Sequence, residues 1–377
     1  MLDHLPYGVF LRTGESRCAA RWGDHLIDLH AAETRGSISA GGALLAPTLQ
    51  KFLAAGPTVW QAVRRELLDL VGSPALAEFL VPLSDVELVL PFEVADYVDF
   101  YSSEHHASNV GQIFRPGQPP LLPNWRHLPI GYHGRAGTVV VSGTEITRPS
   151  GLLSPGVAGP CRRLDIEAEV GFVVGTPSDL GTSVSPGDFA QHVFGVVLVN
   201  DWSARDIQAF EYQPLGPFLG KSFATSVSAW ITPLAALDEA WVAAPTQDPA
   251  VVEHLADSPH LGLDLRMTVT WNGVEVSRPP FASMYWTPAQ QLAHLTSNGA
   301  SLRTGDLFAS GTVSGPERNQ VGSFLELTWG GAEPVEIRGA KRTFLEAGDE
   351  VVISAYAPGP DGSRVELGSV AGKIRDN

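Results

Sequence analysis

The sequence predicts a mostly β fold, and three observations favour it. Glycine and proline are abundant, at 39 and 29 of 377 residues, which indicates many turns. Short runs rich in β-branched and aromatic residues lie between these turns. The strand-like runs do not alternate regularly with helical segments, which argues against a doubly wound parallel sheet. With 44% hydrophobic residues, the chain can build a sizeable core of two domains or one large one.

The first 90 or so residues form the first predicted unit. A helix is predicted over residues 58–71, because its apolar residues fall on one face and Gly72 can end it. Residues 81–91 are expected to connect this unit to the rest of the chain. The predicted strands of the unit cover residues 7–11, 18–22 and 25–30.

From residue 96 onward the pattern is mostly that of strands. One clear helix interrupts it, since Thr287 can cap a helix that has Pro288 at its first position and Gly299 after its end. The candidate strands cover residues 138–142, 165–174, 194–200, 263–271, 324–329 and 350–355.

An acidic strand carries the strongest chemical signal. Alternate residues of a strand share a face, so Asp165, Glu167 and Glu169 are expected to point the same way. Three like charges on one face repel each other unless water or a cation neutralises them. A solvated sheet face is one interpretation. The other is a site for a hard cation such as Mg²⁺ or Ca²⁺, which prefers carboxylate oxygens.

A second polar stretch follows the apolar strand that ends near residue 200. Asp201 lies at the end of this strand, and a helix is expected to begin after it. Arg205, Gln208 and Tyr212 have the spacing that places side chains on one helical face. The alternative is that Asp201 or Ser203 is an ordinary helix cap.

Proton-transferring groups are concentrated between residues 99 and 106. Asp99, Tyr101, His105 and His106 lie in this segment, and histidine is the side chain best suited to proton transfer near neutral pH. Any one of these histidines can equally well be structural.

Lys221 lies in a Gly-Lys-Ser sequence that is only superficially like a phosphate-binding loop. Leu215 stands where that loop needs a glycine, and Pro217 interrupts it. A buried cation facing a substrate is the more favoured interpretation of Lys221.

Composition and missing motifs exclude several functional classes. The net charge of −16 makes non-specific nucleic-acid binding unexpected. Only Cys18 and Cys161 are present, which excludes a disulfide framework or a zinc finger. Neither a signal peptide at the start nor an apolar run of about 18 residues is recognisable, so we expect a cytoplasmic protein without a membrane span. Zincin, nucleophile-elbow, EF-hand and dinucleotide-binding motifs are also missing.

Taken together, these segments resemble the fumarylacetoacetase family. The likeness extends from residue 5 to about residue 373 and is weak only between about residues 30 and 90. Several long motifs in the same order are far more specific than any single one. The matching stretches are residues 99–103, 121–125, 131–135, 164–169, 200–208, 214–223, 284–286 and 309–312.

The resemblance implies a fold and an assembly. It predicts a small N-terminal SH3-like barrel over residues 1–92, followed by a large β-roll domain over residues 93–377. It also implies a homodimer. The sequence departs from the familiar animal enzymes directly before His106. Glu104 and His105 stand where those enzymes have Arg and Gln.

The resemblance also implies a metal site that contains Mg²⁺, Ca²⁺ or both. In the family, carboxylates of matching motifs bind a divalent cation, and a lysine and a threonine are associated with a Mg²⁺ site. The matching carboxylates here are Asp99, Glu167, Glu169 and Asp201, and the other two residues are Lys221 and Thr225.

The implied activity is hydrolysis of a carbon–carbon bond in a 1,3-diketo diacid, giving fumarate and acetoacetate from 4-fumarylacetoacetate. By resemblance, His106 is the general base, Glu326 orients it, and Arg205, Gln208 and Lys221 stabilise the oxyanion. His105 is the alternative base, although the motif spacing favours His106. The implied substrate contacts are Tyr101, Arg115, Tyr132, Gln208, Tyr212 and Thr312.

Two other functions stay open at this point. Related proteins of the wider superfamily hydrolyse, hydrate or decarboxylate other 1,3-diketo or 2-oxo acids. A metal-stabilised domain that binds an acidic metabolite without catalysis is the non-enzymatic alternative.

Overall fold

A computed structural model describes residues 4–376 of the chain. Met1–Asp3 and Asn377 lie outside the described residues. The predicted N-terminal domain begins with Met1–Asp3, and so does the segment in which no signal peptide is recognisable. Within residues 4–376, no helix combines the length and the apolar character needed to cross a bilayer.

The N-terminal unit contains five strands and three α-helices in its described part. The helices are α1 (Leu29–Thr34), α2 (Gln50–Ala54) and α3 (Pro57–Val71). The strands are β1 (Tyr7–Arg12), β2 (Glu15–Trp22), β3 (His25–Asp28), β4 (Leu80–Pro82) and β5 (Glu87–Val89). Helix α3 agrees with the predicted helix, and its buried face carries Trp60, Val63 and Leu67.

The rest of the chain is dominated by strands. Its helices are α4 (Glu104–Phe114), α5 (Phe189–His192), α6 (Arg205–Glu211), α7 (Pro288–Thr296) and α8 (Phe324–Leu327). The first twelve strands are β6 (Tyr97–Phe100), β7 (Gly131–His133), β8 (Val139–Val141), β9 (Ile146–Thr147), β10 (Ser150–Ser154), β11 (Val157–Pro160), β12 (Leu164–Asp165), β13 (Ala168–Val174), β14 (Val193–Asp201), β15 (Ser203–Ala204), β16 (Thr225–Val227) and β17 (Trp230–Pro233). The remaining strands are β18 (Trp241–Ala243), β19 (Leu261–Leu263), β20 (Arg266–Trp271), β21 (Val274–Ser277), β22 (Leu307–Ala309), β23 (Val335–Ile337), β24 (Ala340–Arg342), β25 (Glu350–Pro358) and β26 (Arg364–Arg375).

One sheet of 13 strands runs through both predicted units. Its main path is β4-β3-β2-β1-β17-β14-β13-β22-β6-β7, with β5 on β1, β16 on β14 and β8 on β16. The two units join where Tyr7 and Gly8 of β1 pair with Ile231 and Trp230 of β17. A Cβ on Gly8 would lie 2.6 Å from the Trp230 indole, so only glycine permits this approach.

The mostly β prediction is confirmed, but the SH3-like barrel is not. Among the described residues, the strands of the N-terminal unit follow an open path that does not close into a barrel. Strand β1 bonds instead to β2, β5 and β17. Strand β1 is therefore hydrogen-bonded to a strand of the larger unit as well as to strands of its own unit.

The large sheet determines which polar side chains meet. Asp99 of β6 is in register with Ala309 of β22, which in turn pairs with Gly171 of β13. At the other side of β13, Ala168 pairs with Asn200 of β14. These registers bring the ends of β6, β13 and β14 together.

A second sheet and helix α7 cover the core of the larger unit. The sheet has the order β21-β20-β25-β26-β9, and Trp271 of β20 stacks on Phe324 of α8 with ring centroids 4.3 Å apart. Helix α7 begins as predicted, because Thr287 and Gln290 form a reciprocal capping box ahead of the first turn.

Several predicted element boundaries were wrong. The expected strand over residues 165–174 is interrupted between β12 and β13, and the expected connector over residues 81–91 overlaps β4 and contains β5. The expected strand over residues 324–329 contains the helical turn α8 instead, because Ser323 accepts a hydrogen bond from the Glu326 N–H. All four residues of α8 are buried, so no periodicity distinguishes this turn from a buried strand.

Candidate metal centre and active site

Four buried carboxylates form the centre of the candidate site. One oxygen from each of them can be chosen so that all four lie within 4.8 Å of one another. The strand ends supply three of these residues, and the fourth precedes β13 in the interruption of the predicted acidic strand. The four residues are Asp99, Glu167, Glu169 and Asp201.

The electrostatics of this group call for a cation. Burial, together with the neighbouring carboxylates, raises the pKa of Asp99 and of Glu169 well above their ordinary values. No described N–H or hydroxyl group donates to Asp99 Oδ1 or to either oxygen of Glu169. Because buried acceptors without partners are costly, the four residues fit an oxygen-liganded divalent ion.

Three polar side chains surround Asp201. Lys221 Nζ donates to Asp201 Oδ2 at 2.7 Å and to Glu167 Oε2 at 2.5 Å. Thr225 Oγ1 donates to Asp201 Oδ1 at 3.0 Å, and the Tyr132 hydroxyl donates to Oδ2 at 2.9 Å. Neither Asp201 nor Ser203 caps α6, whose N-cap is Ala204. A cleft opens beside Lys221 and Tyr132.

Arg205 connects the four-carboxylate group to the buried Asp165. Its Nη1 lies 2.7 Å from Glu167 Oε1 and donates to Gln208 Oε1 at 3.2 Å, while Nε donates to Asp165 Oδ2 at 2.8 Å. Burial raises the pKa of Glu167, but Lys221 and Arg205 outweigh it and hold that pKa well below its ordinary value. The remaining nitrogen, Arg205 Nη2, is buried without a hydrogen-bond partner.

A histidine–carboxylate pair lies beside the four carboxylates. His106 Nδ1 is 2.7 Å from Glu326 Oε2, and His106 Nε2 is 3.9 Å from Glu167 Oε1. Burial raises the pKa of Glu326, but His106 and the hydrogen bonds to its carboxylate outweigh it, so that the pKa is lowered. Tyr101 packs edge-on against the His106 ring, whereas the His105 side chain makes no hydrogen bond within residues 4–376.

Among the described residues, Arg115, Tyr212 and Thr312 make no hydrogen bond to the four carboxylates or to the His106–Glu326 pair. Thr312 is buried, and its hydroxyl has no hydrogen-bond partner. Arg115 lies at the end of α4 and donates to the Pro120 carbonyl at 3.1 Å. The Tyr212 hydroxyl accepts a hydrogen bond from Gln213 in the loop after α6.

Sequence reasoning missed the residues that support Glu326. Asn109 donates to Glu326 Oε1 at 2.9 Å, and the hydroxyls of Ser314 and Ser323 donate to Oε2 at 3.0 and 2.8 Å. A signal existed for two of them, since Asn109 follows His106 by one helical turn and Ser323 precedes Glu326 by three residues.

Asp165 also differs from its prediction. It was expected on the same face as Glu167 and Glu169, but it lies outside the four-carboxylate group. Its oxygens accept hydrogen bonds from Arg205 and from the N–H groups of Phe324 and Leu325. Because the strand is interrupted between β12 and β13, the alternation of faces along a continuous strand does not relate Asp165 to Glu169.

The fold and the site together define a class: a mostly β protein with a buried carboxylate cluster that can hold a metal ion beside a histidine–carboxylate pair. The family model described as "Fumarylacetoacetate (FAA) hydrolase C-terminal" matches residues 96–375, and that described as "Fumarylacetoacetase N-terminal" matches residues 3–91. The chain belongs to the fumarylacetoacetase family.

Similar proteins match over nearly their whole length. The fumarylacetoacetase of Oryza sativa subsp. japonica is 43% identical over 403 residues, covering 99% of this chain and 94% of the relative. The fumarylacetoacetase of Homo sapiens is 42% identical over 403 residues, covering 99% and 95%.

A solved structure supports the fold. The fumarylacetoacetate hydrolase of Exiguobacterium antarcticum superimposes with a TM-score of 0.60 at 18% identity, covering 99% of this chain and all of that one.

Proposed function

We propose that this protein hydrolyses the carbon–carbon bond of 4-fumarylacetoacetate, giving fumarate and acetoacetate, the last step of tyrosine and phenylalanine breakdown. The observation that carries the proposal is the 2.7 Å pair of His106 and Glu326 beside the four carboxylates. The relatives named fumarylacetoacetase, which are about as long as this chain, support the choice of substrate.

The cation of the proposed reaction is Mg²⁺ or Ca²⁺, held by the oxygens of Asp99, Glu167, Glu169 and Asp201. When bound, it supplies a Lewis acid for the diketo oxygens of the substrate. Lys221 and Thr225 hold the Asp201 carboxylate through their hydrogen bonds to it. The partnerless oxygens of Glu169 and Asp99 support this assignment.

His106 acts as the general base for water. Its Nδ1 bonds to Glu326, so Nε2 is the nitrogen left to take a proton from water, on the side of Glu167. Glu326 stabilises the imidazolium that results. The hydroxide attacks the carbonyl on the fumaryl side, and the protonated His106 then returns its proton to the acetoacetate carbon as the enolate leaves.

Cationic and amide groups stabilise the oxyanion of the tetrahedral intermediate. Arg205, Gln208 and Lys221 take this role, and the partnerless Nη2 of Arg205 is available to a new oxygen. The chain as a whole carries a charge of −16, so attraction of an anionic substrate depends on such local positive groups.

Phenolic, cationic and hydroxyl groups bind the substrate carboxylates in this proposal. The cleft beside Tyr132 and Lys221 supports a path for the substrate to the cation. The residues assigned to substrate binding are Tyr101, Arg115, Tyr132, Gln208, Tyr212 and Thr312.

The proposal extends to organisation and location. We expect an N-terminal domain over residues 1–92, a catalytic domain over residues 93–377, a homodimer and a cytoplasmic protein. The family-model matches to residues 3–91 and 96–375 support the boundary. Size-exclusion chromatography with light scattering tests the dimer.

A spectrophotometric assay tests the activity. Loss of the diketone absorbance of 4-fumarylacetoacetate is followed after chelation and again after addition of Mg²⁺ or Ca²⁺. We expect turnover that depends on the cation. Turnover of a simple acylpyruvate alone would favour a related diketo-acid hydrolase, and cation-dependent binding without turnover of either would favour a metabolite-binding protein.

A further inference from the structure

Asp165 accepts hydrogen bonds from two separate parts of the active site. It is fully buried, and its Oδ2 accepts from Arg205 Nε at 2.8 Å and from the Leu325 N–H at 3.0 Å. Its Oδ1 accepts from the N–H groups of Phe324 and Ile166 at 2.7 and 2.8 Å. All four donors converge on one side chain that touches none of the proposed reacting groups except Arg205.

We propose that Asp165 is a positioning residue that holds Arg205 and the Glu326 turn in one fixed frame, and this inference rests on the proposed function. Asp165 of the predicted acidic strand therefore has a role other than binding the cation. It acts on the oxyanion side and on the base side of the reaction at once.

On the oxyanion side, Asp165 restricts the rotation of the Arg205 guanidinium. With Nε bonded to Asp165 and Nη1 bonded to Glu167, the planar fork has one orientation. That orientation leaves Nη2 buried and without a partner. Asp165 therefore keeps this nitrogen available for a substrate oxygen.

On the base side, Asp165 holds the start of α8. It accepts from the N–H groups of Phe324 and Leu325, which directly precede Glu326. The Glu326 carboxylate then bonds to His106 Nδ1 at 2.7 Å. A shift of this turn would move Glu326 and, with it, the imidazole.

The ionised carboxylate is needed because every neighbour is a donor. An asparagine has one acceptor oxygen, and its NH₂ group would face either Arg205 and Leu325 or Ile166 and Phe324. The Arg205 charge would also lose a buried counter-ion. Asp165→Asn therefore keeps the shape of the side chain and disrupts one half of the frame.

The matched control is Asp349→Asn. Asp349 is also a buried aspartate that accepts from a backbone N–H, that of Glu346, and from a side chain, Asn272 Nδ2. It belongs to neither side of the proposed site. Both variants should lose stability, so their thermal unfolding serves as the common reference.

The experiment compares kcat and KM for 4-fumarylacetoacetate in both variants at saturating Mg²⁺. We expect Asp165→Asn to lower kcat on the order of 10²-fold with little change in KM, and Asp349→Asn to keep the wild-type kcat. The loss in Asp165→Asn should be much smaller in Glu326→Gln and Arg205→Lys backgrounds, because those variants already lack a positioned group. The inference would be overturned if the loss in kcat from Asp165→Asn multiplied with the losses from Glu326→Gln and Arg205→Lys. It would also be overturned if Asp165→Asn and Asp349→Asn had equal kcat values.

A spectroscopic readout separates this inference from the proposed function. The His106 Nδ1 proton is assigned in ¹H NMR spectra by its loss in His106→Ala, and we expect it to shift in Asp165→Asn but not in Asp349→Asn. If the wild-type protein does not turn over the substrate, the proposed function fails, and an unshifted resonance would separately overturn the positioning role.

Should Asp165→Asn not fold, Asp165→Glu keeps the charge and displaces it by one methylene. A wild-type kcat and resonance in that variant would contradict the inference.

Discussion

At the scale of single residues, Glu169 differs from Glu167 and Asp201 of the cluster. Glu167 and Asp201 each receive a charged hydrogen bond from Lys221, whereas both oxygens of Glu169 lack any described donor. A bound cation is the partner that would satisfy them. Removal of Glu169 should therefore affect the cation directly.

We expect Glu169→Ala to weaken binding of Mg²⁺ or Ca²⁺ and to abolish turnover with the fold retained. The bound ion should have oxygen ligands only, at roughly 2.0–2.6 Å. Calorimetric titration of the chelator-treated protein measures the binding. Glu336→Ala, on an exposed part of β23, is the control, and full activity of metal-free Glu169→Ala would contradict the assignment.

The two adjacent histidines are distinguished by their contacts. The His106 side chain bonds to Glu326, while the His105 side chain has no hydrogen bond within the described part of the chain. His106→Ala should lower kcat on the order of 10²–10⁴-fold, as expected for a general base, and His105→Ala should lower it far less. Steady-state kinetics of both variants decide the assignment, and a reversed ranking would identify His105 as the base.

At the scale of elements, the turn α8 concerns the mechanism most. A strand would have sent alternate side chains to opposite faces, whereas this turn directs Glu326 to Asn109, Ser314, Ser323 and His106. Four donors hold one carboxylate. Its charge, rather than its volume, is therefore the property that the surrounding residues select.

Glu326→Gln should keep the fold and cation binding but lower kcat, because a neutral amide stabilises the imidazolium less than a carboxylate does. Steady-state kinetics and calorimetric titration with Mg²⁺ or Ca²⁺ of wild type and variant test both expectations. An unchanged kcat would leave Glu326 a structural residue.

Helix α7 offers a test of local structure. Thr287 accepts from the Gln290 N–H at 3.2 Å and donates to Asp257 at 3.1 Å. Thr287→Ala should lower the free energy of unfolding by about 1–2 kcal/mol, whereas Thr287→Ser should retain most of it. Urea denaturation of the three proteins measures the difference, and equal midpoints would show that the cap contributes nothing.

At the scale of the whole molecule, the N-terminal unit and the large sheet share backbone and side-chain contacts. Strand β1 pairs with β17, and the buried His4 lies 3.4 Å from Thr232 Oγ1 of the same strand. Burial, with the positive charge of Arg64, lowers the pKa of His4 to about 3. His4 is therefore neutral in the folded protein at pH values where the unfolded chain is protonated.

This difference predicts a pH dependence of stability. Above the ordinary histidine pKa of about 6.5, His4 is neutral in both the folded and the unfolded chain, so its burial does not lower the free energy of unfolding. That free energy falls as the pH drops from there towards the pKa of His4 in the folded protein. At pH 5 the loss is about 2 kcal/mol. Urea denaturation at pH 7.5 and pH 5 should show this loss in the wild type and a smaller one in His4→Asn. An identical pH dependence in both would contradict the burial argument.

The sequence by itself determined those features that short-range patterns encode. Turn residues and strand-like runs indicated the mostly β fold, and the capping residues located the start of α7. The motifs identified the family and the Glu167 and Glu169 pair that the structure places in one cluster. These features depend on neighbours a few positions apart, where periodicity and capping chemistry act directly.

Only the tertiary structure decided the rest. His106 and Glu326 lie 220 positions apart, and no local pattern pairs two such residues without the family resemblance. Asp165 lies outside the carboxylate cluster, where its buried side chain accepts four hydrogen bonds, from Arg205 and from the N–H groups of Ile166, Phe324 and Leu325. The sheet continues from β1 to β17, and the described strands of the N-terminal unit do not confirm the expected closed barrel. The unpaired groups of a strand edge can bond to any strand that the packed core brings alongside. Burial and long-range hydrogen bonding select these arrangements, and neither is written in the spacing of adjacent residues.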